Sequence, residues 1–134
     1  MYEPIRSKSV HSLAEDGADP YPHRSREEEL DIRLAGHLTA LLTVTDELRV
    51  LTASPELDAA ADGLVAQIAR LRGAEPLRAE PSARSAGAER VEALHRRAHT
   101  LAGNALVVAT AREDAAGEAL AAARMDAHAA ALGL

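Results

Sequence analysis

After Tyr21 the chain contains no Phe, Tyr or Trp, so any core built there must be packed from Leu, Val, Ile and Ala. It has no Cys either, which excludes a disulfide framework and a thiolate zinc site. Its 134 residues fit one domain and suffice to bury a core without such cross-links. An aliphatic core with many small residues has to be read from periodicity, and the periodicity here is helical.

The clearest helix opens at Ser25. Ser25 and Glu28 have capping-box spacing, and Glu27, Glu28 and Glu29 sit where the helix dipole favours negative charge. Leu30, Leu34, His37, Leu41, Val44, Leu48 and Leu51 then recur in steps of four and three, with Leu38 widening the seam. Asp31, Thr39, Thr43 and Asp46 fall on the opposite face. Ser54-Pro55 pairs an N-cap with a residue suited to the first helical position. Leu57, Ala61, Leu64, Ile68 and Leu71 form a second stripe that Gly73 ends. The short turn makes these two helices an antiparallel hairpin.

Gly73, Pro76 and Pro81 mark a linker, and Ser85 is the expected start of a third helix with the stripe Val91, Leu94, Ala98, Leu101, Ala105 and Val108. The phase carries on through Ala116, Leu120, Ala123, Ala127 and Ala130. The bundle therefore has three long helices or four, depending on a break near 112–117. Asp114 would cap a fourth helix. An unbroken helix to the C-terminus would be roughly 70 Å long and would overhang the hairpin.

The reading is an all-α antiparallel bundle over 25–134, with helices at about 25–53, 55–72, 85–112 and 114–132. Residues 1–24, punctuated by Pro4, Gly17, Pro20 and Pro22, are expected to form an extended tail.

Charge narrows the partners. Fifteen basic residues against 21 acidic ones leave a net charge of −6, which disfavours non-specific nucleic-acid binding and anionic membrane surfaces. No apolar run approaches the roughly 20 residues of a membrane span, and no apolar core follows the first residues as in a signal peptide. The expectation is a soluble cytoplasmic protein without a cofactor. Arg84, Arg90, Arg96 and Arg97 read as a solvated face or a contact for an acidic partner. An Ala-rich last segment buries little area per residue and points to a homodimer.

Histidines are the side chains that titrate near neutral pH. His11 and His23 fall in the tail. His37 interrupts the first apolar seam, either as a buried neutral imidazole or as a ligand. His95 and His99 are one turn apart and could chelate a divalent metal. In an up-down-up arrangement His37 would share their layer, making the three a candidate metal or small-ligand site, with Glu92 a possible addition.

Ala98-His99-Thr100-Leu101-Ala102-Gly103 resembles the motif of histidine-containing phosphotransfer domains, which are four-helix bundles of similar length. The resemblance implies His99 as phospho-acceptor and Gly103 as the small residue that lets a response regulator approach. Ala102 stands where that family usually has lysine, Ala109 replaces a later glycine, and the histidine lies on the third helix instead of the second. No phosphate loop, nucleophile elbow or nucleophile–base pair occurs. The leading reading is a non-catalytic interaction or regulatory module. Phosphotransfer through His99 and ligand binding at His37, His95 and His99 are the alternatives.

Overall fold

The computed structural model describes residues 24–134, so the expected tail, apart from Arg24, lies outside the described residues. Among the described residues four helices form: α1 (Arg26–Leu51), α2 (Pro55–Arg72), α3 (Ala88–Arg112) and α4 (Ala115–Leu132). The described part is an all-α bundle.

Local chemistry sets most helix ends. Glu28 N–H donates to Ser25 Oγ at 3.0 Å, while Ser25 N–H donates to Glu28 Oε1 at 2.8 Å, completing the capping box. Ser54 Oγ accepts from the N–H groups of Glu56 and Leu57 at the start of α2. Gly73, at φ 79°, supplies the left-handed residue that ends it. The break between α3 and α4 is real. Glu113 takes φ 60°, Asp114 N–H donates to the Ala109 carbonyl at 2.9 Å, and Asp114 Oδ1 caps Gly117 N–H at 3.0 Å. Arg70 Nη2 grips both oxygens of Asp114 at 3.0 and 2.8 Å, tying this corner to the end of α2. Gly117 packs there so closely that a Cβ would lie 3.1 Å from Leu34 Cδ2.

One start differs from expectation. α3 begins after Gly87, which makes no side-chain cap, and Ser85 stays outside the helix. The preceding residues are held along α1 instead: Ser82 Oγ donates to Glu47 Oε1 at 2.9 Å, and Arg90 Nη2 donates to the same oxygen at 3.0 Å.

Helix α1 is the hub. Leu34, Leu38, Leu41 and Leu48 are fully buried, and Leu30, Leu42 and Val44 nearly so. The burial spreads beyond a single seam because α1 receives α2 on one side and α3 on the other. Thr45 is buried too. Its hydroxyl donates to the Leu41 carbonyl at 2.8 Å, which satisfies it without a partner helix. Leu38, not His37, fills the expected layer; His37 is only half-buried.

Direction is set by the linker. Leu71 and Arg72 at the end of α2 share a groove with Asp31 and Ile32 near the start of α1. From there the chain runs back along the bundle. Arg78 donates to both oxygens of Asp46 at 2.9 and 2.8 Å, and Arg49 Nη1 adds a third contact at 3.1 Å. Asp46, expected on a solvated face, is therefore buried under the linker. Burial alone would raise its pKa, but the hydrogen bonds from Arg78 and Arg49 outweigh it and hold the carboxyl below its ordinary value. α3 then descends, ending with Arg112 Nε 2.9 Å from Asp31 Oδ1. α4 climbs from Arg70 toward Glu56. So α1 and α4 run one way, and α2 and α3 the other. α4 packs on α3 and only lightly on α2.

The phase of α4 also differs from expectation. Gly117, Ala121, Arg124 and His128 face inward, while Ala116, Ala123 and Ala130 are exposed and Leu120 and Ala127 half-buried. The left-handed Glu113 reverses the chain, so the stripe of α3 does not carry through. Leu41→Ala should cost about 2–5 kcal/mol, the range for a buried leucine. Urea unfolding measures this, and a loss below about half a kcal/mol would place the α1 seam in solvent.

Candidate functional site

The upper end of the bundle, where α1 ends and α2 begins, gathers polar groups from three helices. Glu56 stands in the first turn of α2, where the helix dipole favours a carboxylate. His95 lies near the start of α3, and Arg124 and His128 lie one turn apart on α4. Arg124 is 3% exposed and His128 1%. Two large polar side chains thus occupy core positions of a helix whose other residues are mostly alanine.

They form a chain of contacts. Arg124 Nη1 donates to Glu56 Oε2. Arg124 Nη2 lies 3.1 Å from His128 Nε2, and His128 Nδ1 lies 3.0 Å from His95 Nδ1. A guanidinium only donates, so His128 Nε2 must accept. The His128 proton then sits on Nδ1 and is donated to His95 Nδ1. His95 in turn carries its proton on Nε2. Both imidazoles are neutral in this arrangement, and each has one defined tautomer.

Electrostatics agree. Burial, then the charge of Arg124, push the His128 pKa down to about 3, with His95 and His99 adding to the effect. Burial and Arg124 also lower the His95 pKa, against a small opposing pull from Glu56.

Beside these groups lies a cavity of about 240 Å³, with Thr52, Ser54, Leu57 and Ala131 completing its wall. A larger groove of about 420 Å³ runs between the linker and the end of α1, but Asp46, Arg49, Asp58 and Arg78 there already satisfy one another. The smaller cavity is the better candidate, because its cation is buried and only partly paired.

The sequence-predicted histidines separate. Asp31 lies beside Arg112 and Glu47 beside Arg90, so α3 runs antiparallel to α1. His37 therefore lies toward the lower end of the bundle and His95 toward the upper. The expected shared layer of His37, His95 and His99 does not form. No cluster of three or more His, Asp or Glu suited to a metal ion occurs among the described residues. His99 is half-buried on α3. Gly103 faces α4, where a Cβ would sit 3.8 Å from Met125 Sδ and Cε, so it accommodates that methionine.

Arg124 and His128 escaped the sequence reading, which had assigned the inner face to neighbouring alanines. The available signal was the spacing Gly117, Ala121, Arg124, His128, together with the scarcity of other charges on α4. Comparison with protein-family models, curated proteins and solved structures finds no match for this chain.

Because the folded pKa of His128 lies below its unfolded value near 6.5, folding favours the neutral form. This contribution is complete above about pH 6.5 and is lost as pH falls from there toward 3, by about 1 kcal/mol per pH unit. Urea midpoints should drop between pH 7 and 5, and the His128 ring should stay neutral by NMR at pH 5. His128→Gln, which keeps an acceptor for Arg124, should flatten the slope. A ring titrating near 6.5 would contradict the buried placement.

Proposed function

We propose that the protein is a non-catalytic, cytoplasmic helical module that works by association, beginning with a second copy of itself. The observation that carries this reading is the outward surface of α4. Ala115, Ala116, Ala119, Ala123 and Ala130 are exposed there. Arg124 turns inward, so Glu118 and Asp126 are the only charged side chains of α4 left outside the core. A helix that faces only water usually carries a densely charged outer face, and this one carries only those two carboxylates. Val107 on α3, 69% exposed, and Leu134, 81% exposed, add apolar surface beyond the alanines.

Alanine suits a helix–helix contact better than it suits solvent. Its small side chain allows close backbone approach and costs no side-chain entropy on burial. A two-fold pairing of α4 with its copy would be self-complementary, as a closed dimer requires. No helix of the described residues is long and apolar enough to cross a membrane, so this surface does not belong to a membrane-spanning helix.

Light scattering at micromolar concentration should give twice the monomer mass. Ala123→Glu, an exposed substitution with good helix propensity, should return the protein to monomer without lowering monomer stability. A strict monomer for the unsubstituted chain would reject the reading.

A further inference from the structure

We propose that the cavity at the upper end of the bundle binds a small organic carboxylate, which takes the place of Glu56 on Arg124. Arg124 is 97% buried by its 3% exposure, yet its five N–H donors are poorly used. One contact goes to Glu56 and one to His128, and the buried Nε has no partner among the described residues. A buried cation with an unsatisfied donor is costly unless something completes its shell. Its carboxylate partner is not fixed in the core, since the Glu56 side chain is 58% exposed on the rim. It can swing into water at little cost.

The rest of the cavity asks for the same kind of ligand. The tautomer relay commits His128 Nε2 to Arg124 Nη2 and leaves His95 with a proton on Nε2, so the histidine pair has no further acceptor to offer Arg124. The positive end of α2 forms part of the wall at Ser54 and Glu56. Donors thus dominate, and the acidic group facing Arg124 is the displaceable Glu56. Leu57, Ala127 and Ala131 supply an apolar side that inorganic anions would leave unused. A volume of about 240 Å³ exceeds that of a single water several-fold and admits a short acyl chain. The ligand is therefore a monocarboxylate with a short apolar body, its carboxylate on Arg124 and its chain against α4. This inference does not depend on dimerisation, since α4 lines the cavity with Arg124, Ala127, His128 and Ala131, none of them among the outer-face alanines named above.

The test titrates the full chain with propanoate, butanoate, pentanoate and hexanoate, and separately with inorganic phosphate, following the ring protons of His95 and His128 by NMR. Expected are saturable shifts at these two rings, tightening by up to about fourfold per methylene until the cavity is full. Glu56→Gln removes the competing carboxylate from an exposed position and should tighten binding several-fold. Arg124→Gln should abolish it, with a thermal scan confirming that this variant is folded. Should Arg124→Gln fail to fold, the Glu56→Gln comparison still decides. No saturation up to ~10 mM, phosphate binding as well as hexanoate, or weaker binding in Glu56→Gln would each overturn the proposal.

Discussion

The contact on which the rest of this fold depends is the clasp of Arg78 on Asp46. It acts together with Ser82 and Arg90, which hold the end of the linker and the first turn of α3 on Glu47 near the top of α1. With it, the linker lies along α1, and α3 begins at the top and descends. That single reversal decides which ends of which helices meet. It brings His95 to the end where Glu56 begins α2, and it lets α4 climb back to place Arg124 and His128 between them. The clasp is partly exposed on the Arg78 side, so its direct contribution to stability is modest. Its importance is in where it holds the linker. The leucines of α1 would pack against a helix of either direction.

The same economy appears in the core. Lacking large aromatic rings after Tyr21, the chain fills its interior with leucines from α1 and α2 and alanines from α3 and α4. Small residues bring α3 and α4 close together, and Gly103 against Met125 is one such approach. At the upper end, however, the positions that could have held leucines are given to Arg124 and His128. A buried cation and a neutral imidazole are poor substitutes for apolar packing. They are tolerated because each finds a hydrogen-bond partner, and the incompleteness of Arg124's shell is what sets this end apart as a place for a ligand.

Much of the architecture was legible in the residues. Ser25 with Glu28, Ser54 with Pro55, and Gly73 are local signals whose physics is complete within one turn, and they placed α1 and α2 to within a residue or two. Asp114 marked the break that separates α3 from α4. The illegible parts were long-range. Ser85 looked like a cap, but contacts from Ser82 and Arg90 to Glu47 keep the chain extended two residues further. Nothing within residues 73–87 announces that Arg78 will find Asp46, so the direction of α3, and with it the layer of His37, could not be read. In α4 nearly every face is alanine, which makes the phase ambiguous, and carrying the α3 stripe through the break chose the wrong one.

The decisive measurement is of helix direction. The chain has no native cysteine, so nitroxide labels introduced by cysteine substitution go only where they are placed. Distances between labels would be compared by electron double resonance for Asp31 paired with Arg112 and for Asp31 paired with Arg90. The account predicts a short separation for the first pair and one longer by roughly 25 Å for the second, given the rise of α3 between those sites and the spacing of packed helices. A short distance from Asp31 to Arg90, with Arg112 far away, would mean that α3 runs parallel to α1. The upper-end cluster of Glu56, His95, Arg124 and His128 would then not exist.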